Sequence, residues 1–310
     1  MSWCLFYYPH KIYMYGRNKM IKFKILMPCY NDWSSVFRLL DNIDVEISNI
    51  KGEFSVIIVN DGSTEKIPKL QKYYKNIKSI NIINIKNNQG HTRSNATGIK
   101  YCSKKLDFDY LILMDGDGED RPEEIKLLIQ KALDKKNISV VAKRIKRSEG
   151  IIFTIFYNLH KLITLIFTGR NMNFGHYSCI SKEDLKLISS KKSLWGCYSG
   201  TLKKFVKKLD NIPCIRGKRY VQPSKMSFIK LVIHAFSILA VFKYQVLIRS
   251  SVFFLLLVLF VPNLFGFFLK IILVVFTLFV FLISMRENSE ELDNCEKKIG
   301  NIQTIYTKRL

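Results

Sequence analysis

No CxxC pair, no HExxH motif and no obvious cluster of metal-ligating histidines occurs in this 310-residue chain. Its seven cysteines (Cys4, Cys29, Cys102, Cys179, Cys197, Cys214 and Cys295) are odd in number and scattered. That excludes a disulfide framework and zinc-finger spacing, and fits free thiols in a reducing compartment. GxxxxGK and GxGxxG are absent, which sets aside P-loop and dinucleotide chemistry. Asp115-x-Asp117-x-Glu119 imitates the start of an EF-hand, but Asp120 and Lys126 stand where its Gly and Glu belong. Acidic residues are few: 25 Asp and Glu face 49 Lys and Arg, a formal net charge of +24. Such a balance favours anionic partners, yet no helix-turn-helix, RNP or zinc-finger pattern accompanies it, so nucleic acid is not an expected partner. The opening residues, Met1–Lys19, contain no long apolar run before a small-residue cleavage site, so no secretory signal peptide is read there.

What is present is a run of apolar residues, Tyr110-Leu-Ile-Leu-Met114, that ends in Asp115-Gly-Asp117. This reads as a buried strand delivering two carboxylates to its carboxyl end, the edge at which open α/β sheets bind ligands. On a continuing strand the two acids would share a face. Two hard oxygen donors on an open edge suit Mg²⁺ or Mn²⁺ carrying a diphosphate. Two further strands end in the same way. Phe54–Val59 runs into Asn60-Asp61-Gly62-Ser63-Thr64, and Lys22–Met27 into Pro28-Cys29-Tyr30-Asn31-Asp32. Three such strands, each followed by a helical pattern, describe a βαβ sheet with one working edge.

In order and spacing, Pro28–Asp32, Val59–Ser63, Asn88-Gln-Gly90 and Met114–Asp117 with Pro122-Glu123 resemble inverting family 2 glycosyltransferases. The likeness is greatest to the dolichyl-phosphate mannosyltransferase and bacterial polyprenyl-phosphate glycosyltransferase subgroup, specific over about Phe23–Arg147 and looser to about Ser237. The resemblance implies a GT-A fold that binds a nucleotide sugar and one divalent metal, Mg²⁺ or Mn²⁺. It implies that Asp61 holds the nucleotide base or ribose, that Pro28, Tyr30 and Asp32 line the same pocket, and that Asp115 and Asp117 hold metal and diphosphate. Asn60 stands where many relatives carry Asp, and Asp32 where many carry Glu; both changes keep the oxygen chemistry.

Two basic clusters bear on the transferred group's acceptor. Lys143–Arg147 resembles the family's arginine-containing motif, and Arg216-Gly-Lys218-Arg219-Tyr220 the segment ahead of its membrane helices. Arg144, Arg147, Arg216 and Arg219 are therefore candidates to clamp phosphate oxygens, or alternatively form a solvated basic face meeting acidic lipid. Arg216 and Arg219 are expected to lie apart from Asp61 and Asp117. In the segment Asn171–Ser181, read as a loop, relatives usually show an Asp-x-Gly-Asp-Phe-Arg-like sequence. Here His176 replaces the second acid, and it is the obvious titratable substitute if a general base is needed. A hydroxyl acceptor needs such a base, whereas a phosphate is already an anion.

From Leu247 to Met285 the chain is nearly all Leu, Val, Phe and Ile, broken at Pro262-Asn263. One helix of that length exceeds the ~20 residues a bilayer needs, so two spans in a hairpin are expected, roughly Gln245–Val261 and Phe265–Met285. Basic residues flank the hairpin (Lys225, Lys230 and Lys243 before it, Arg249 early in the first span near the headgroups, Arg286, Lys297 and Lys298 after it), which places both termini in the cytoplasm. The preceding apolar segment with sparse basic positions reads as an interfacial helix.

The expected organisation is an N-terminal extension over 1–19, with translation beginning at Met20, and an α/β GT-A domain with a mostly parallel, Rossmann-like sheet over 20–225. An interfacial amphipathic helix follows over 226–244, then the transmembrane hairpin over 245–285 and a polar cytoplasmic tail over 286–310. The expected function is a membrane-anchored inverting glycosyltransferase with a polyprenyl-phosphate or lipid-linked acceptor. A transferase using a hydroxyl acceptor in surface polysaccharide synthesis is the alternative, and a non-catalytic, membrane-tethered sugar-nucleotide binder is another. Homo-oligomerisation is compatible with each.

Overall fold

The computed structural model describes residues 20–69, 73–135, 138–146, 151–221 and 227–307; residues 1–19 and Arg147 lie outside them. The eight strands among the described residues are β1 (Lys22–Cys29), β2 (Glu53–Asn60), β3 (Ile77–Ile85), β4 (Tyr110–Leu113), β5 (Ser139–Lys146), β6 (Phe174–Ser181), β7 (Leu209–Ile215) and β8 (Ile299–Tyr306). They form one sheet in the order β7-β5-β6-β4-β1-β2-β3-β8. The helices are α1 (Trp33–Glu46), α2 (His91–Lys105), α3 (Ile125–Asp134), α4 (Ile151–Thr168), α5 (Lys182–Ser189), α6 (Tyr198–Phe205), α7 (Phe228–Val241), α8 (Lys243–Phe260), α9 (Leu264–Ser284) and α10 (Ser289–Asp293).

The central runs Ile25–Met27, Val56–Val59 and Tyr110–Leu113 of β1, β2 and β4 are apolar because both faces of the sheet are covered. On one face Phe23, Ile25, Val56 and Ile58 pack with Leu39, Leu40 and Ile43 of α1 and Leu128 of α3. On the other, Leu26, Ile57, Val59 and Leu111 meet Ile99 of α2, Leu185 of α5 and Leu202 of α6. The β1 strand pairs in parallel with both β2 and β4, with Cys29 beside Asn60 and Leu26 beside Leu113. Parallel pairing in that register brings the polar ends of all three strands to one edge.

Two elements differ from the sequence reading. The polar tail is not free: β8 pairs antiparallel with β3, Ile80 opposite Ile305 and Asn84 opposite Asn301. The chain thus returns from its apolar helices to close the sheet's edge. The other is α4, an apolar helix within the expected GT-A domain. Its Ile163 and Phe167 pack with Phe236 of α7, Val246 of α8 and Phe276 of α9. Its other side leaves Ile155, Phe156, Leu159 and Leu162 exposed.

The turn at Pro262-Asn263 separates α8 and α9 as expected, with the Asn263 side chain capping α9 through the Gly266 N–H. Both are long and apolar enough to cross a membrane, and only 11% and 17% of their most apolar windows are buried, which argues against core helices of a soluble domain. They fit a transmembrane hairpin. Arg249 of α8, expected at the headgroups, donates to the Ile166 carbonyl near the C-terminus of α4 at 2.8 Å, where a cation is favoured.

Candidate active site

The turn after β2 is braced from behind. Asp61 is 3% exposed, and its two carboxylate oxygens accept the N–H groups of Gln89 (2.8 Å) and Gly90 (2.9 Å). Its carboxylate therefore fixes the 88–90 turn at the start of α2 rather than projecting into open space. Burial raises its pKa. The two turns approach so closely that a Cβ on Gly62, at φ +68°, would lie 2.6 Å from the Asn88 nitrogen. Gly62→Ala is thus expected to cost about 1–2 kcal/mol for the left-handed backbone alone, plus a shift of the Asn88 backbone. A melting temperature lower by several degrees checks this; an unchanged one would mean that the two turns are not packed this tightly.

At the end of β1, Tyr30 is 40% exposed and Asn31 takes a positive φ of 48°. The Asn31 side chain links the loops by accepting from the Thr64 N–H at 2.8 Å. Asp32 begins α1 without capping it through its side chain, and its Oδ1 is buried without a hydrogen-bond partner. Pro28 lies at the carboxyl end of β1, its carbonyl against Gly116.

The acids after β4 do not continue the strand, which ends at Leu113, and their carboxylates have different partners. Asp115 Oδ1 is 3.0 Å from His91 Nε2, on α2. Burial disfavours its charge, but the hydrogen bond and charge of His91 outweigh burial and hold Asp115 well below the usual carboxylate range. Conversely, His91 is raised, because Asp115 outweighs its own burial. Asp117 accepts from the Glu119 N–H at 2.9 Å and lies 2.5 Å from Arg219. Burial, and then the charge of Asp115, push it up to about 6. Behind them Asp120, which the sequence reading passed over, accepts the Asp115 N–H at 2.9 Å and is pushed up to about 7, chiefly by burial.

The arginines correct one expectation. Arg219 is not apart from Asp117: its guanidinium bridges Asp117 and, at 3.5 Å, Asp32. Arg216 pairs with Glu119, and the backbone N–H groups of Gly217 and Tyr220 donate to Glu119 and Asp117 carbonyls at 2.8 and 2.9 Å. Residues 216–220 are a strap laid along the acidic loop. Gly118, at φ +88°, lets the Tyr220 ring lie on it, where a Cβ would be 2.7 Å away. Arg144 turns inward, 3.7 Å from Asp120.

His176 lies on strand β6, not on a loop, and is 7% exposed. Its ring meets His91 edge-on at 4.7 Å, stacks on Tyr198 at 5.4 Å and lies 6.3 Å from His234 of α7. Three of the five histidines, of which only His176 stands out in the sequence, thus converge beside Asp115. Burial, and then the charge of His91, lower His176 to about 3, so it is neutral and a weak base at physiological pH.

Comparison with known proteins gives the family to which the domain carrying this edge belongs. The chain belongs to glycosyl transferase family 2, whose model matches residues 24–209. It is 24% identical over 220 residues to an undecaprenyl-phosphate 4-deoxy-4-formamido-L-arabinose transferase of Proteus mirabilis, across 69% of this chain and 65% of that one. It is 25% identical over 221 residues to the Photorhabdus laumondii protein of the same name, across 68% and 65%. The match thus spans about 65% of these relatives' length. A crystal structure of glucosyl-3-phosphoglycerate synthase from Mycobacterium tuberculosis with phosphoglyceric acid aligns with 73% of this chain and 80% of that one, at a TM-score of 0.50 and 13% identity. The likeness bears out the GT-A fold.

Proposed function

We propose that the protein transfers a sugar, with inversion, from a nucleotide sugar to a polyprenyl phosphate at the cytoplasmic face of a membrane. The observation that carries this reading is the gathering of Asp61, Asp115 and Asp117 at one sheet edge, under an arginine strap and beside an apolar helical hairpin. The relatives' names point to undecaprenyl phosphate as acceptor.

A divalent ion fits the edge. The charge of Asp115 helps to push Asp117 up, a repulsion that a cation would neutralise. Asp115 and Asp117 would hold Mg²⁺ or Mn²⁺, which when bound stabilises negative charge on the departing nucleotide diphosphate. Pro28, Tyr30 and Asp32 would line the donor's pocket beside these acids, and Asp61 holds the 88–90 turn. Arg219, now between Asp32 and Asp117, is placed to turn its guanidinium onto phosphate oxygens once Asp117 is otherwise engaged. The neutral, buried His176 is poorly suited to deprotonate a hydroxyl, which favours a phosphate acceptor that needs no base.

Purified protein assayed against nucleotide sugars with and without undecaprenyl phosphate tests the reading. Transfer dependent on the lipid is expected; transfer to a hydroxyl acceptor alone would replace it with the polysaccharide alternative. Within that assay, Arg216→Ala is expected to raise the KM for the lipid phosphate about ten- to a hundredfold, the equivalent of roughly 1.5–3 kcal/mol of charge-assisted contact. Because Arg219 touches Asp117, Arg219→Ala is expected to weaken donor and acceptor together. Equal loss of both in Arg216→Ala would reassign Arg216 to the donor diphosphate.

The return of β8 to β3 supports a hairpin whose two ends lie on the catalytic side of the membrane. Reporters fused before Met20 and after Leu310 are both expected to read as cytoplasmic. A periplasmic or lumenal signal from the C-terminal fusion would remove the hairpin.

A further inference from the structure

His91, Asp115 and His176 each offer one ligand atom, and these atoms all lie within 4.8 Å of one another. Two ligands on opposite sides of an ion with bonds of about 2.1 Å stand about 4.2 Å apart, so closing the group requires at most about half an ångström of side-chain movement. The three come from different elements: the first residue of α2, the turn after β4, and β6. A second observation is independent of this spacing. His176 Nε2 is buried and has no hydrogen-bond partner, although an unsatisfied buried polar atom is costly. At His91 Nε2, the Asp115 carboxylate at 3.0 Å and the Asn95 amide at 3.3 Å make competing demands on one nitrogen. A cation would satisfy both imidazoles at once.

We infer that the divalent ion of this enzyme is held by nitrogen as well as oxygen, through His91 Nε2, His176 Nε2 and Asp115 Oδ1. Three ligands on one side leave positions open for diphosphate oxygens and water. Imidazole suits transition-metal ions, whereas carboxylate and water suffice for Mg²⁺. The site therefore selects Mn²⁺ over Mg²⁺. Asp117, paired with Arg219 on the other side of the loop, is the adaptable member of the acid pair and joins the ion when the diphosphate arrives. This inference rests on the reading of the edge as a metal-dependent transferase site, and it can fail separately.

The test uses the full chain in detergent, without nucleotide sugar. Mn²⁺ binding is followed by the loss of its free-ion electron paramagnetic resonance signal, and its ligands by electron spin echo envelope modulation. Wild-type protein is expected to bind Mn²⁺ with ¹⁴N couplings from imidazole, and at least tenfold more tightly than Mg²⁺ measured by competition. His91→Ala and His176→Ala are each expected to weaken Mn²⁺ binding at least tenfold, as changes even to partners outside the ligand set commonly do. The wild-type spectrum does not depend on whether a variant folds. Bound Mn²⁺ without nitrogen coupling, or equal affinity for Mg²⁺, would overturn the inference, even if lipid-dependent transfer were observed. Nitrogen-coupled Mn²⁺ in a protein that transfers no sugar would uphold the metal site and sink the transferase reading instead.

Discussion

Asp117→Asn is expected to abolish sugar transfer while leaving the fold intact. The substitution keeps the size of the side chain and an oxygen able to accept the Glu119 N–H, so the turn after β4 retains its bond. What it removes is a charge on which Arg219 and an arriving metal diphosphate both depend. With its carboxyl pushed up to about 6, Asp117 is already strained as an anion in the ligand-free protein, and a neutral amide there should cost little stability. Removing one electrostatic stabiliser of a developing anion costs on the order of 10²–10³ in kcat, and loss of a metal ligand at least as much. Turnover in Mg²⁺ and in Mn²⁺, with circular dichroism and melting temperature alongside, makes the check. Full turnover in either ion would show that Asp117 does not serve the reaction.

Truncation after Lys298 is expected to leave no stable, monodisperse protein. It removes β8, which pairs with β3 over seven positions from Ser79 to Ile85. Each ladder hydrogen bond contributes a net ~0.5–1.5 kcal/mol, so the loss is on the order of several kcal/mol against a typical stability of 5–15. The exposed edge would be Ile-Lys-Ser-Ile-Asn-Ile-Ile-Asn-Ile, β-prone and carrying a single charge. Such an edge recruits other chains. Size-exclusion chromatography in detergent should show aggregate in place of the wild-type peak. A truncated protein with wild-type elution and melting temperature would show that β8 is dispensable.

The working edge was legible because it is written in contiguous runs. An apolar strand followed at once by Asp115-Gly-Asp117 carries both its burial and its chemistry within eight residues, and the same holds for Asp61 and Asp32. The hairpin was legible for a similar reason, a long apolar stretch broken by Pro262-Asn263. β8 was not. Ile299–Tyr306 is mostly exposed and mixes three Ile and a Tyr with Asn, Gln and Thr without strict alternation, and an edge strand of that kind is defined by its neighbour β3, not by its own pattern. α4 escaped notice because its apolar residues serve two surfaces, one against α7–α9 and one left bare. The histidines were invisible as a group because each stands alone in sequence and only the packing of α2, β6 and α7 brings their rings together. For Arg219 the error was one of assumption: belonging to a different segment from Asp117 says nothing about distance once the strap folds back over the acidic loop.

The closing strand is made long after the strand it pairs with. β3 leaves the ribosome more than 200 residues before its partner, since Asn84 and Asn301 lie 217 positions apart, and both apolar helices are made in between. On the proposed topology the sheet waits, one edge open, while the hairpin inserts and the chain turns back. Insertion would then act as a checkpoint on maturation: a molecule whose second helix fails to return the chain to the starting side leaves β3 without β8.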